Sequence, residues 1–153
     1  MSHTEHNKAV VRSLYEDVVG RGDLALHERL VASDAVDHNA ARSGWGSGIE
    51  GIRRHATFLH EVFPDAVLMV DDLVAEDDRV IAFWHFTGTQ RGELWGVPPT
   101  GRHVTARTIS IARLRDGQVV EYESRPERLE LLLQLRSLGH HAAQLAASSG
   151  QAA

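Results

Sequence analysis

The 153-residue chain has the length of one domain, and its 42% hydrophobic and 24% charged residues supply a core and exclude a disordered chain. The net charge of -5, from 16 Lys and Arg against 21 Asp and Glu, leaves no cationic surplus to neutralise phosphates and argues against a nucleic-acid partner. The absence of cysteine rules out disulfides, thiolate metal sites and cysteine nucleophiles, and no apolar run approaches the roughly 18 residues of a membrane span.

In chain order, residues 1–6 are polar and read as a disordered N-terminus, 7–139 as a single domain, and 140–153, biased to small residues, as a flexible tail. The start lacks the basic-then-apolar pattern of a secretory signal, so the expected location is the cytoplasm. From Asn7 to Val19 the apolar residues Val10, Val11, Leu14, Tyr15 and Val18 recur at helical spacing until Gly20 and Gly22 stop the run. Asp23 caps a short second helix through Val31, with Leu24, Leu30 and Val31 inward. Val36 to Asn39 then leads into the Gly/Ser-rich stretch 43–48, read as an entrance loop. A third helix from about Ile49 to Val62 carries Ile52, His55, Ala56, Leu59 and Val62 on one face, and Pro64-Asp65 ends it.

The second half changes period. Ala66–Ala75 and Arg79–Gln90 read as strands joined by an acidic turn, and His103–Arg115 and Gln118–Ser124 as a hairpin around Asp116-Gly117. Leucines from 129 to 138 suggest a closing helix after Pro126. Helices first and a strand meander afterwards predict α+β: N-terminal helices packed on a strongly curved antiparallel sheet, a cone-shaped barrel with a pocket.

Alternation sorts the strand faces. A two-residue turn at Asp116-Gly117 would set Ser110 opposite Glu123; a three-residue loop would set it opposite Tyr122. The second is preferred, because it gathers Arg107, Arg113, Glu121 and Glu123 on one face and Ala106, Thr108, Ser110, Ala112, Tyr122 and Ser124 on the other. Small side chains facing helices leave space, which predicts a pocket. Ile81, Phe83, Ile109 and Ile111 on the outer face predict a subunit interface, hence a homo-oligomer, dimer or tetramer.

Ten histidines invite a metal reading, but no His-Glu-x-x-His occurs and His55 and His60 lie about 140° apart on an ideal helix; no metal site is expected. His55, on an apolar helix face, is either a pocket-facing acid or base or a satisfied core histidine; imidazole is the side chain that ordinarily titrates near neutrality. Asp37-His38-Asn39 is either a hydrogen-bonded turn or a polar cluster from which Asn39 donates to a carbonyl or enolate oxygen. Tyr15, Tyr122 and Trp84 offer aromatic walls and two hydroxyls.

Several stretches in order, Val36–Asn39, Gly48–Ile52, Phe63–Asp65, Asp72–Ala75, Thr87–Thr89, Gly96–Gly101 and Asp116–Glu121, resemble the SnoaL-like polyketide cyclase family, within the ketosteroid-isomerase and nuclear-transport-factor type of fold. The resemblance covers about Asn7 to Gly139. It implies a deep apolar pocket, no metal or organic cofactor, and assembly through the sheet. It also implies intramolecular aldol closure by an aspartate on the last strand, helped by a histidine on the preceding strand and an asparagine after the second helix. Carried over, the asparagine is Asn39, whereas the histidine and aspartate positions are Ser110 and Ser124.

Serine has no lone pair basic enough to take a proton from carbon, so the acid/base role is expected at His55, with His38 second, and Glu123 only if a slip or bulge turns it inward. The predicted function is a cofactor-independent cyclase acting on a polyketide-like or polycyclic small molecule in secondary metabolism. His55, Asn39 and His38 are its candidate catalytic residues, and Tyr15, Leu59, Trp84, Phe86, Thr108, Ser110, Tyr122 and Ser124 its substrate contacts. The alternative is a diverged relative: a small-molecule-binding accessory protein, or a hydroxylase-type tailoring protein working with a redox partner.

Overall fold

A computed structural model describes residues 1–46 and 48–136; the expected tail at 140–153 lies outside the described residues. Helix α1, His3–Ser13, begins earlier than the expected Asn7 because the Ser2 hydroxyl accepts the Glu5 amide at 3.2 Å and caps the first turn. The chain then widens into a π-helical segment, Leu14–Val19, in which the Gly20 amide donates to the Tyr15 carbonyl at 2.7 Å. A side chain at Gly20 is excluded, since its Cβ would sit 2.5 Å from the Glu16 carbonyl oxygen.

Helix α2, Leu24–Leu30, is capped by Asp23, whose carboxylate accepts the Leu26 amide at 2.9 Å. Its phase corrects the expected one: His27 is fully buried and Leu24 is exposed. Val31 does not extend this helix but opens strand β1, Val31–Asp37, where helix end and loop were expected. A one-turn helix α3, His38–Arg42, follows, and then α4, Gly48–Val62.

Strands β2 (Val67–Glu76), β3 (Arg79–Thr89), β4 (His103–Arg115) and β5 (Gln118–Pro126) form the antiparallel meander that the alternation predicts. Residues 128–136 are helical. The sheet order is β1-β5-β4-β3-β2, with β1 parallel to β5. It is therefore a curved, mixed and open sheet of five strands with β1 and β2 as edges, and not a closed antiparallel barrel. Among the described residues no helix is long and apolar enough to cross a membrane.

The β4–β5 hairpin takes neither expected register. Asp116 (φ 53°) and Gly117 (φ 75°) form a two-residue turn closing Arg115 against Gln118, and left-handed backbone at both positions matches the strand twist. A bulge then absorbs Val120, so that Ser110 pairs with Ser124, not Tyr122. The turn and the bulge together restore the parity of the preferred register. Ala106, Thr108, Ser110, Ala112, Tyr122 and Ser124 are accordingly all buried on the helix-covered face. On the other face Phe83, Ile109 and Ile111 are exposed, and Glu123 pairs with Arg42 and Arg125 at 3.0 and 2.9 Å. The bulge does not turn Glu123 inward.

Candidate active site

Between the small side chains of the inner sheet face and the helices lies a cavity of about 400 Å³, within the size range of small-molecule sites. Its walls are aromatic. Tyr15 stacks on Trp84 with centroids 5.1 Å apart, Phe63 tilts against Phe86 at 4.9 Å, and Tyr122 stands 6.0 Å from both Tyr15 and His55. At the mouth, Trp45 covers His55 and Phe58 at 5.6 and 5.0 Å, and Arg128 lies 5.0 Å over the Trp95 ring.

His55 lines the cavity and its side chain is 30% exposed, while its partner Asp37 is fully buried. Asp37 holds two elements at once. One carboxylate oxygen, Oδ1, accepts the Asn39 and Ala40 amides and so caps α3; the other, Oδ2, lies 2.8 Å from His55 Nδ1. The carboxylate therefore keeps the proton on Nδ1 and leaves Nε2 as the free lone pair, the arrangement that a general base requires. Sequence reading placed Asp37 in a polar cluster but did not pair it with His55, because the partners are 18 residues apart on different elements.

Asn39 also lines the cavity, with its amide largely engaged: Nδ2 donates to the Ser124 carbonyl at 2.9 Å and Oδ1 accepts the Ser124 amide at 2.6 Å. It clamps α3 to β5 and keeps one N–H for a ligand. His38 lies outside the cavity lining; its Nε2 is 2.8 Å from Glu121 on the opposite sheet face, and this contact holds the Glu121 carboxyl below the usual carboxylate range. His38 is thus not brought to the site. Glu123 is held low chiefly by its hydrogen bond from Arg42.

Of the expected contact residues, Tyr15, Leu59, Trp84, Phe86, Thr108, Tyr122 and Ser124 line the cavity. Ser110 does not, and acts from behind. Trp84 Nε1 donates to Ser110 Oγ at 2.8 Å, Ser110 Oγ lies 2.8 Å from Ser124 Oγ, and Ser124 Oγ meets the Tyr122 hydroxyl. Burial, and next the Asp37 charge, pushes the Tyr122 phenol up to about 12. Burial likewise raises Tyr15, whose hydroxyl stands beside those of Ser110 and Tyr122 yet outside hydrogen-bond geometry with either. Both phenols are therefore neutral donors at neutral pH. Trp45 and Trp95 were missed as lining residues; a tryptophan set among glycines was the available signal. Among the described residues, no three His, Cys, Asp or Glu side chains gather as metal ligands.

The sequence profile of the SnoaL-like polyketide cyclase family matches residues 9–135. Among solved structures, IdmH of Streptomyces antibioticus, a proposed polyketide cyclase, is 32% identical, with 84% of this chain and 97% of that chain covered and a TM-score of 0.72. TsrD of Streptomyces laurentii is 26% identical, over 90% of this chain and 99% of its own, at a TM-score of 0.74. AclR of Streptomyces galilaeus, a proposed hydroxylase, is 26% identical over 96% of each chain, at a TM-score of 0.70. No curated protein matches the sequence. The profile match spans nearly all of the described chain, and IdmH shares both fold and sequence with it: the chain belongs to the SnoaL-like polyketide cyclase family.

Proposed function

We propose that the protein is a cyclase of secondary metabolism, acting in the cytoplasm on a polyketide-like or polycyclic ketone, with proton transfer carried by its own side chains. The observation that carries this reading is the Asp37–His55 pair inside an aromatic cavity. His55 Nε2 takes a proton from a carbon beside a carbonyl, and the electron pair moves onto the carbonyl oxygen. The resulting enolate carbon attacks a second carbonyl of the same molecule, and the imidazolium returns the proton to the new alkoxide. His55 thereby takes over the work done in the family by the carboxylate whose position is Ser124. A positioned acid/base contributes about 10²- to 10⁴-fold in rate, and holding a flexible chain folded for closure contributes as much again or more.

The test is deuterium exchange into the acidic C–H of a naphthyl β-diketone, followed by NMR. The wild type is expected to exchange it faster than buffer, and His55→Ala to lose the acceleration. Exchange at the buffer rate with the diketone bound would favour the second reading, a binding or hydroxylase-type tailoring protein with a redox partner. That reading draws support from the two serines at 110 and 124 and from the likeness to AclR.

The same proposal includes a second copy of the chain as partner. Its support is the row Val67, Met69, Phe83, Ile109 and Ile111 on the outer sheet face, 38 to 58% exposed, an apolar surface that water disfavours. Sedimentation should show an oligomer that Ile111→Glu dissociates; a monomeric wild type would remove this part of the reading.

A further inference from the structure

Two arginines stand in the cavity wall, Arg42 and Arg128. The Arg42 guanidinium is engaged by Glu123 at 3.0 Å. Arg128 pairs with no Asp or Glu side chain among the described residues, which hold every Asp and Glu of the chain. The acidic side chain of the wall, Glu127, turns to Glu130 instead, and the hydrogen bond between the two carboxyls raises the Glu127 pKa. Arg128 lies 5.0 Å over the Trp95 ring. Stacking occupies the face of a guanidinium, whereas its N–H donors point outward in its plane, so a stacked arginine keeps its fork for a planar anion.

The platform is itself held in a rare backbone state. Trp95 has φ 49° and Gly96 φ 79°, and Leu94 and Val97 close the turn with amide-to-carbonyl bonds of 3.0 and 2.8 Å. A bulky residue in left-handed backbone is strained, and strain of this kind collects at ligand clamps. A second observation points the same way. Thr108 is 5% exposed, lines the cavity, and its hydroxyl has no hydrogen-bond partner among the described residues. Ser124, on the same sheet face, has its hydroxyl engaged by Ser110 and Tyr122. The β4–β5 pairing sets Thr108 opposite Pro126, two residues before Arg128. A buried free hydroxyl and an unpaired guanidinium at the rim thus stand on one wall of the cavity.

We infer that Arg128, stacked on Trp95, and Thr108 form a carboxylate subsite at the cavity mouth, so that the substrate is an aromatic or polycyclic carboxylic acid in preference to its neutral derivatives. The guanidinium fork meets both carboxylate oxygens, and the Thr108 hydroxyl donates to the inner one. One unpaired guanidinium and one hydroxyl match the single charge of a carboxylate; a phosphate would leave a second charge unmet. Anchored at the rim, the ligand extends its rings inward toward His55, which fixes its orientation before any proton moves. Arg128 and Thr108 determine specificity and take no part in proton transfer.

The inference deepens the proposed function and rests on its cavity, but its test reads binding without turnover. Calorimetry at neutral pH compares naphthoate, the isosteric neutral naphthamide, and naphthalene on the full chain. Naphthoate is expected to bind about tenfold more tightly than naphthamide, the worth of one charge-assisted contact, and the preference should shrink in high salt. Arg128→Gln should bring acid and amide to equal affinity with naphthalene unchanged. Thr108→Val, which keeps the shape and removes the hydroxyl, should weaken naphthoate about fivefold. Equal affinity for acid and amide in the wild type, a preference that survives Arg128→Gln, or naphthoate binding untouched by Thr108→Val would each overturn the subsite, as would failure of naphthoate to bind. Should Arg128→Gln not fold, Thr108→Val and the salt dependence decide. Deuterium exchange into the neutral diketone without any acid preference would overturn the subsite and leave the proton-transfer function standing; an acid preference without exchange would do the reverse.

Discussion

Asp37 touches α3 with one carboxylate oxygen and His55 with the other: Oδ1 accepts the Asn39 and Ala40 amides at 2.7 and 3.0 Å, and Oδ2 stands 2.8 Å from His55 Nδ1. A single buried carboxylate thus fixes both the turn that presents Asn39 and the tautomer of the candidate base. Asp37→Asn keeps an acceptor for the cap, but its amide would donate to Nδ1 and move the imidazole proton to Nε2. Deuterium exchange into the naphthyl diketone should fall by about 10²- to 10⁴-fold, with naphthalene binding preserved. An exchange rate within a few-fold of wild type would remove Asp37 from the proposed mechanism.

The Asn39 clamp on Ser124 predicts a stability effect that is separate from chemistry. Asn39→Ala removes two hydrogen bonds and leaves the Ser124 amide and carbonyl without that partner, a loss of about 2 to 3 kcal/mol. Urea denaturation measures it. Asn39→Asp should be no better, since it sets a carboxylate oxygen against the Ser124 carbonyl. A change below about 0.5 kcal/mol would mean that water replaces the clamp.

His27 predicts the acid limb of stability. Its ring is fully buried, neither nitrogen has a hydrogen-bond partner, and burial first, then the Arg53 charge, holds its pKa below the ordinary 6.5. A histidine with a depressed folded-state pKa contributes fully above the unfolded value, and the stability is lost as pH falls through the folded value. Thermal unfolding should therefore show a decline that begins near pH 6.5 and steepens below it. His27→Leu should flatten that decline and, by removing two unsatisfied polar atoms, raise stability at pH 8 by about 1 kcal/mol. An unchanged pH profile in the variant would assign the decline to other groups.

Gln90 braces the loop that carries Leu94 and Trp95 to the cavity mouth. Its amide donates to the Gly92 and Val97 carbonyls at 3.0 and 3.1 Å and accepts from the Thr100 amide and hydroxyl at 3.1 and 2.7 Å, while the side chain is fully buried. Gln90→Leu keeps the bulk and loses all four bonds, at a cost of roughly 2 to 4 kcal/mol. Hydrogen exchange should rise first in residues 91–101. Protection there equal to wild type would contradict the bracing role.

What sequence alone could tell followed from how each feature is encoded. Helix α4 and the inner faces of β3 and β4 were legible because long periodic runs repeat their signal over many residues. The facing of Ser110 and Ser124 was read correctly through an incorrect register, since the two-residue turn and the Val120 bulge cancel in parity. Strand β1 was hidden: Ser33 and Asp34 interrupt its apolar alternation, and its register with β5 shifts between Val31 and Val36. Seven-residue α2 is too short to fix a phase: of the three residues read as inward, Leu30 and Val31 pack on the core but Leu24 is exposed, and the fully buried residue of the helix is His27. His38 and His55 were both candidates by type, and only the third dimension sends one to Glu121 and the other to Asp37 beside the cavity.

The three tryptophans of the chain, Trp45, Trp84 and Trp95, all line the same cavity. The ultraviolet emission of this protein is consequently the emission of its site, with no background indole elsewhere in the chain. Trp84 sits at the floor with its N–H fixed on Ser110, while Trp45 and Trp95 stand at the rim beneath Arg54 and Arg128. A ligand entering would meet the rim pair before the floor, so quenching should develop in two spectrally distinct stages. The unlabelled wild-type protein is thus its own optical titrant for screening aromatic ketones.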